Sequence, residues 1–213
     1  MNATPLTVTP PDPRPPHRYI AIEGPIGVGK TSLATLFAER WAMRPLLERP
    51  QDNPFLERFY REGARHALSA QLSFALQRAQ QAAGLAIVAD FMPQKNEIFA
   101  RLTLGEDEWP LYRALAERVD VPAPAPAPDL VVYLQASPEV LYARLQKRGI
   151  AMELQIGDAY NEFFYHYDRT PVLTVAAEHL NPLDSPDDLA LLMTRIETMR
   201  GRKESFVKGG ADR

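Results

Sequence analysis

The sequence predicts an α/β fold in which a five-stranded parallel sheet carries helices on both of its faces. Short apolar runs of strand character alternate with amphipathic helical patterns along the 213 residues. This alternation is typical of parallel sheets covered by helices. A glycine-rich segment also joins the first apolar run to the first helical pattern. In such a fold, ligands bind beyond the carboxyl ends of the strands.

The predicted strands are five apolar runs: Tyr19–Glu23, Pro45–Leu47, Ala86–Asp90, Leu130–Leu134 and Val172–Val175. The first is apolar almost throughout, as expected of a strand that is buried on both faces. Glu23, Glu48 and Asp90 fall at or near the ends of the first three strands. We therefore take Glu48 and Asp90 as candidate active-site carboxylates.

The predicted helices are seven: Lys30–Arg40, Pro54–Tyr60, Arg65–Ala82, Lys95–Leu104, Glu108–Arg118, Pro138–Arg148 and Pro186–Met199. The last has a clear start signal, because Ser185 can cap it and proline suits the first helical position. A Pro-Ala run, 121–128, precedes the fourth strand. Each proline fixes φ and restricts its predecessor, which predicts a stiff, extended connection within one domain.

Composition and charge exclude several classes of protein. There are 24 basic and 27 acidic residues, a net charge of −3, and no cysteine. This charge disfavours a protein that binds long nucleic acids, and the lack of cysteine excludes disulfides and thiolate catalysis. No apolar run approaches the roughly 20 residues of a membrane span, and the N-terminus lacks the order of a signal peptide. We therefore expect a cytoplasmic protein without membrane or nucleic-acid partners.

Both ends of the chain are predicted to lie outside the folded domain. Residues 1–16 are rich in proline and threonine without periodicity, which predicts a disordered tail. Residues 201–213 are mainly polar and are predicted to form a flexible tail. One domain over residues 17–200 is the expected organisation, and this length is sufficient for an ample core.

The glycine-rich segment fits G-x-x-x-x-G-K-[ST], the phosphate-binding loop (P-loop) of nucleoside triphosphatases, whose three-layer fold we expect here. Glycines let backbone N–H groups turn inward around an anion, and the helix N-terminus adds its dipole. Lys30 can reach the β- and γ-phosphates, and the Thr31 hydroxyl can hold Mg²⁺. A simple glycine-rich turn is the alternative. The predicted ATP-binding residues are Gly24, Pro25, Ile26, Gly27, Val28, Gly29, Lys30, Thr31 and Ser32.

Beyond the P-loop, several segments together resemble the deoxynucleoside kinases. Gln71 and Arg78 stand about two turns apart on a predicted helix and share a face, which matches that family's base-recognition pair. The resemblance extends from His17 to about Arg200. The other matching segments are Tyr19–Thr31, Leu46–Pro50, Asn53–Tyr60, Ile98–Ala100 and Asp129–Leu134.

The resemblance implies roles for individual residues. Glu48 would be the general base that accepts the proton of the sugar 5′-hydroxyl, with Lys30 as its catalytic partner on the phosphates. Gln71 and Arg78 would bind the base, and Tyr60 would contact the sugar 3′-hydroxyl. The alternatives are an ordinary surface glutamate, a solvated polar stripe on a helix and a tyrosine of the core or rim.

The segment after the fourth strand resembles the lid that closes over the triphosphate in this family. Arg144 and Arg148 lie about one helical turn apart and can approach the same anion, and Glu153 matches a lid carboxylate that touches the sugar. Basic residues at a helix end also stabilise the helix dipole without any substrate.

The chain departs from the family pattern after the third strand. An Asp-Arg-Ser or Glu-Arg-Ser sequence is common there, whereas this chain has Ala89-Asp90-Phe91-Met92 and lacks the arginine. Asp90 could still hold a water bound to Mg²⁺, and Lys95 could supply the missing positive charge. The lid also lacks a basic residue at Ile150.

Taken together, these features predict ATP- and Mg²⁺-dependent phosphorylation of the 5′-hydroxyl of a deoxynucleoside. Purines are slightly favoured because the donors of Arg78 suit an edge rich in acceptors. The resemblance also implies a homodimer. Two alternatives stay open: a nucleoside monophosphate kinase resembling thymidylate kinase, and a nucleotide-binding module with little or no catalysis.

Overall fold

A parallel β-sheet forms the centre of the protein. The computed structural model describes residues 15–81, 86–92, 94–119, 127–146 and 154–209. Within them the sheet has six strands in the order β2-β3-β1-β4-β5-β6, and every pairing is parallel. The strands are β1 (Tyr19–Glu23), β2 (Arg44–Leu46), β3 (Ile87–Ala89), β4 (Leu130–Gln135), β5 (Val172–Ala176) and β6 (Lys203–Phe206). The parallel α/β sheet is confirmed, but it has six strands rather than five.

Helices connect the strands as the alternating pattern predicted. They are α1 (Lys30–Arg40), α2 (Leu56–Glu62), α3 (Ala67–Gln81), α4 (Lys95–Thr103), α5 (Glu108–Val119), α6 (Pro138–Gln146), α7 (Leu154–His166) and α8 (Pro186–Thr198). Short 3-10 turns cover Pro50–Asp52 and Gly63–His66. The Ser185 hydroxyl accepts the N–H of Asp188, which confirms the predicted cap of α8. No helix among the described residues is long and apolar enough to cross a membrane.

The strand alternation places successive residues in different layers. Ile20 and Ile22 pack in a core cluster with α1 and α8, whereas Tyr19 and Ala21 pack in a second cluster with α4 and α7. Because strand side chains point alternately to the two faces, one short strand serves both cores. The three-layer arrangement is therefore confirmed.

Helix α7 was not predicted, because its main sequence signal is a run of aromatic residues without clear helical caps. In the structure Tyr160 is fully buried and Phe164 is 6% exposed. The Phe164 ring lies 4.1 Å from that of Tyr133 on β4, and it is stacked on it. The aromatic rings that gave no clear helix signal pack α7 against the sheet, so tertiary burial stabilises this helix.

Strand β6 corrects the prediction of a flexible tail over residues 201–213. It pairs with β5, and its polar sequence Lys-Glu-Ser-Phe gave no strand signal. Contacts with distant residues hold it: Arg195 lies 2.7 Å from Glu204, and the Lys203 ammonium donates to the Phe164 and Tyr165 carbonyls at the end of α7. A lysine at a helix C-terminus also complements the helix dipole.

Several sequence predictions fall on residues outside the described ranges. Residues 1–14 of the predicted N-terminal tail and residues 121–126 of the Pro-Ala run are among them. So are residues 147–153, which include most of the predicted lid.

The tight turn at the start of the P-loop leads to a stability prediction. Gly24 has φ +147°, and a Cβ added there would lie 2.5 Å from the Leu134 carbonyl oxygen. Gly29 has φ +107°, but a Cβ added there would meet only open space. We expect Gly29→Ala to cost about 1–3 kcal/mol of backbone strain and Gly24→Ala to cost about 1–3 kcal/mol more because β4 must move. Urea unfolding of both variants checks this, and equal losses would contradict it.

Candidate active site

The P-loop connects β1 to α1, and it has the backbone geometry that an anion-binding loop needs. Gly24, Gly27 and Gly29 all have positive φ, a conformation that side chains disfavour. Gly29 caps α1, so the first N–H groups of the helix follow the loop directly. The Lys30 ammonium donates to the carbonyls of Gly24 and Pro25, at 2.8 and 2.9 Å. The Lys30 ammonium is therefore held by carbonyls of the loop itself.

Lys30 has an ammonium that gives up its proton more readily than usual. Burial is the main cause and the charge of Lys95 the second, and together they lower the pKa to about 8. Glu23, Glu48 and Asp90 oppose this shift. An anion bound in the loop would reverse it, because an opposite charge favours the protonated form.

Asp90 links the P-loop to the end of β2. One of its carboxylate oxygens accepts the Thr31 hydroxyl at 2.5 Å, and the other accepts the backbone N–H of Glu48 at 2.7 Å. Asp90 follows β3, which lies between β1 and β2 in the sheet. The parallel order of the strands thus brings Glu48 and Asp90 to the same edge of the sheet, as their positions at strand ends predicted. Asp90 also joins this edge to Thr31 in the first turn of α1.

Thr31 and Asp90 supply oxygen donors, which are the ligands that Mg²⁺ prefers. Among the described residues, no group of three or more His, Cys, Asp or Glu side chains could hold a metal ion. Mg²⁺ commonly takes only one or two protein ligands and completes its shell with water and substrate phosphates. The residues present therefore fit an ion that arrives with a nucleotide.

Glu48 is held between two cations. Arg78 on α3 donates to Oε1, and Lys95 at the start of α4 donates to Oε2 at 2.8 Å. The Arg78 and Lys95 side chains are 7% and 5% exposed, and that of Glu48 is 15% exposed. Arg78 and Lys95 thus provide positive charge beside Glu48, although the chain has no arginine directly after β3.

These two cations determine the charge state of Glu48. Burial by itself would raise the pKa of the carboxyl, but Arg78 and Lys95 outweigh it through charge and hydrogen bonds and hold the pKa well below its usual range. Glu48 is therefore ionised at every physiological pH. Its two oxygens are also oriented, since each accepts a hydrogen bond from a different helix.

Replacing Lys95 with methionine tests this account of the carboxylate. We expect the pKa of Glu48 to rise by roughly 1–2 units and the free energy of unfolding at pH 7 to fall by about 1–3 kcal/mol. Because the folded-state pKa lies below that of the unfolded chain, the ion pair stabilises the fold above about pH 4 and loses its effect as pH falls further. NMR titration of the side-chain carboxyl carbons measures the shift. Lys95→Arg should keep the pKa low; a low pKa in both variants would exclude a role for the Lys95 charge.

Glu23 is a buried carboxylate that holds the start of the P-loop in place. It accepts the Tyr160 hydroxyl at 2.9 Å, the N–H of Met92 at 2.9 Å and the N–H of Gly24 at 3.2 Å. It thereby joins β1, the segment after β3 and α7. Sequence reasoning missed Tyr160, because the helix that carries it was not predicted.

A cavity of about 600 Å³ opens beside the P-loop and contains most of the predicted substrate residues. Gln71 is buried and Tyr60 is 46% exposed at the rim. Sequence reasoning did not select the aromatic residues Phe74 and Phe99, which also line the cavity. The charged side chains that line it are Lys30, Glu48, Arg78, Asp90 and Lys95. The structure therefore brings Glu48, Tyr60, Gln71, Arg78 and Asp90 together around one space.

The structure does not describe the side chains of the predicted lid residues. Arg144 lies on α6, but its side chain is outside the described part of the structure, and Arg148 and Glu153 lie outside the described residues. Their roles remain predictions.

A second, smaller cavity of about 350 Å³ borders the loop through Gly27, Val28 and Gly29. Its other walls come from α1, β4, β5, the segment before α8 and α8 itself. They are mainly apolar: Leu33, Leu134, Val175, Ala177, Leu180, Pro182, Leu183 and Leu192, with Asn181 as a polar member. The P-loop therefore has a charged cavity on one side and an apolar cavity on the other.

Comparison with known proteins places this geometry in context. A family model described as deoxynucleoside kinase matches residues 20–199. The deoxyguanosine kinase of Bacillus subtilis (strain 168) is 32% identical over 153 residues, which cover 68% of this chain and 73% of that protein. The deoxyadenosine/deoxycytidine kinase of the same organism is 26% identical over 204 residues, covering 87% and 94% of the two chains.

Solved structures agree on the fold. A deoxyadenosine kinase from M. mycoides, with products dCMP and a flexible dCDP bound, gives a TM-score of 0.71 at 23% identity over 85% of this chain and 99% of that chain. The same kinase with bound dATP gives a TM-score of 0.70 at 23% identity. At this level of identity the likeness shows the fold, and the family assignment depends on the sequence comparisons.

Proposed function

The chain belongs to the deoxynucleoside kinase family, and on that basis we propose that it transfers the γ-phosphate of ATP to the 5′-hydroxyl of a deoxynucleoside. The proposal depends mainly on the position of Glu48. Its carboxylate lies on the wall of a cavity that the P-loop also lines, so a base and a phosphate-binding loop share one space. A nucleoside bound there would have its hydroxyl between the two.

The donor would bind with its phosphates on the P-loop and its base in the apolar cavity on the other side. Backbone N–H groups of the loop and Lys30 would hold the phosphates. Leu134, Val175 and Leu192 provide apolar surface for the base. Thr31 and Asp90 would hold Mg²⁺, whose charge would offset that of the phosphates.

Glu48 would accept a hydrogen bond from the 5′-hydroxyl and take its proton during attack. Phosphoryl transfer depends mainly on positioning and on charge neutralisation, because its transition state is loose. A carboxylate of low pKa is a weak base, but it remains ionised and is held rigidly by Arg78 and Lys95. It can therefore orient the hydroxyl for in-line attack as well as take up its proton.

Gln71 would contact the edge of the nucleoside base. The guanidinium of Arg78 donates to Glu48, so its donors are not all available to a base. The slight preference for purine substrates is therefore supported mainly by relatives whose names include deoxyguanosine kinase and deoxyadenosine kinase. Tyr60 at the rim would contact the sugar.

The test is transfer of radiolabelled phosphate from ATP to each of the four deoxynucleosides, with the matching 5′-monophosphates as control acceptors. We expect transfer to at least one deoxynucleoside and much slower transfer to its monophosphate. Arg78 and Lys95 both pair with Glu48, so an acceptor phosphate would have to compete with that carboxylate for them. Faster transfer to monophosphates would favour a monophosphate kinase, and ATP binding without transfer would favour a binding module.

Two further expectations accompany the proposal. The resemblance implies a homodimer, which light scattering of the purified protein tests directly. We also expect the protein to act in the cytoplasm, which microscopy of a tagged chain in its own cells would check.

A further inference from the structure

We propose that Thr103 determines which base edge the site accepts, by fixing the orientation of the Gln71 amide. The inference depends on the proposed function, because it concerns how that site distinguishes an amino from an oxo group on the base. Thr103 is the last residue of α4 and lines the same cavity as Gln71. It would act as a positioning residue, through Gln71.

The hydrogen bonds around Thr103 favour one arrangement of the amide. The Thr103 hydroxyl donates to the Phe99 carbonyl at 2.7 Å, one turn earlier on α4. A hydroxyl has one proton, so its oxygen can offer only lone pairs to Gln71. The amide nitrogen of Gln71 lies 3.2 Å from that oxygen and donates to it. If the Gln71 amide were reversed, its carbonyl oxygen would face a lone pair of the Thr103 oxygen, and the two acceptors would repel each other.

This arrangement leaves a defined set of groups for a ligand. One of the two N–H groups of the Gln71 amide bonds to Thr103, which leaves the second N–H and the carbonyl oxygen. Gln71 is 3% exposed. An unpaired polar group at such a site is costly, so a ligand that pairs with both groups is strongly favoured.

Bases differ in the order of the hydrogen-bond donor and acceptor along their edge. Adenine presents an amino donor beside a ring nitrogen acceptor, whereas hypoxanthine presents a carbonyl acceptor beside a ring N–H donor. Cytosine and uracil differ in the same way. A freely turning amide could pair with either edge, but an amide held in one orientation pairs well with only one. A site built around such a hydrogen-bond pattern can reject the wrong partner strongly.

The test compares Thr103→Val with Thr103→Ser. Valine has the shape of threonine without the hydroxyl, and serine keeps the hydroxyl. For each variant, kcat/KM and the dissociation constant are measured for deoxyadenosine and deoxyinosine, and for deoxycytidine and deoxyuridine. We expect the wild-type protein to prefer one member of a pair by about 10-fold or more, Thr103→Val to lose most of that preference, and Thr103→Ser to retain it.

The preference is a ratio within one protein, so a general loss of stability or activity does not mimic the result. A wild-type ratio near one, or an unchanged ratio in Thr103→Val, would overturn the inference. An equal change of the ratio in Thr103→Ser would also overturn it, because serine keeps the hydroxyl and the change would then come from altered packing. If nucleosides bind with the expected preference but no phosphate is transferred, the proposed function fails while the role of Thr103 stands.

Discussion

Replacing Glu48 with glutamine is expected to lower kcat by about 10²–10⁴-fold, the range typical of a lost general base. Glutamine has the same size, but its amide cannot accept the 5′-hydroxyl proton. The variant also leaves Arg78 and Lys95 without their anion. Breaking a buried pair in this way costs about 3–5 kcal/mol of stability, so assays belong well below the melting temperature of the variant.

Steady-state phosphorylation of the preferred deoxynucleoside measures the effect, and nucleoside binding shows whether the site remains formed. Glu57→Gln is a suitable control, because Glu57 lies exposed on α2 and does not line the cavity. It should leave kcat within about twofold of wild type, as expected of a surface substitution. An unchanged rate in folded Glu48→Gln would remove Glu48 as the base.

Replacing Lys30 with methionine is expected to lower kcat/KM by about 10³-fold. Its ammonium is held by the Gly24 and Pro25 carbonyls at the centre of the loop, where it would neutralise charge on the phosphates. Removing one such preorganised donor typically costs 10²–10³-fold, which is about 3–4 kcal/mol. Lys30→Met should nevertheless fold, because methionine fills the same space without a charge. A loss smaller than tenfold would argue against a direct role in transfer.

The same variant has a second expected signature. With a pKa of about 8, Lys30 is about half deprotonated at pH 8 in the free protein. A bound triphosphate should restore the proton, so binding would take up about half a proton at pH 8 and almost none at pH 6. Calorimetry in two buffers with different ionisation enthalpies measures this uptake. Lys30→Met should abolish it, and an undiminished uptake would assign the proton to another group.

Local sequence patterns were sufficient for the parts of the fold that depend on neighbouring residues. The P-loop is one such part, because its glycines, lysine and threonine act within eight consecutive residues. The cap of α8 is another, since Ser185 needs only the N–H three residues later. Strands β1, β4 and β5 were predicted closely, because central strands are apolar almost throughout.

The missed elements depend on partners far away in the chain. Strand β6 has a polar sequence and is held by Arg195 and by the end of α7. Helix α7 is stabilised by stacking of its aromatic side chains against β4. Neither contact can be derived from periodicity, because each joins residues that are brought together only when the sheet has formed.

The amino-acid sequence is enough to establish that this chain has a P-loop and carboxylates at the ends of its strands, because motif spacing and strand patterns are local properties. The partners of those groups depend on the packing of the folded chain. Arg78 was predicted to bind the nucleoside base, but it donates to Glu48, and Lys95 donates to the same carboxylate. A buried carboxylate requires compensation from whichever cations the packing of α3 and α4 brings within reach, and that packing is a property of the whole fold.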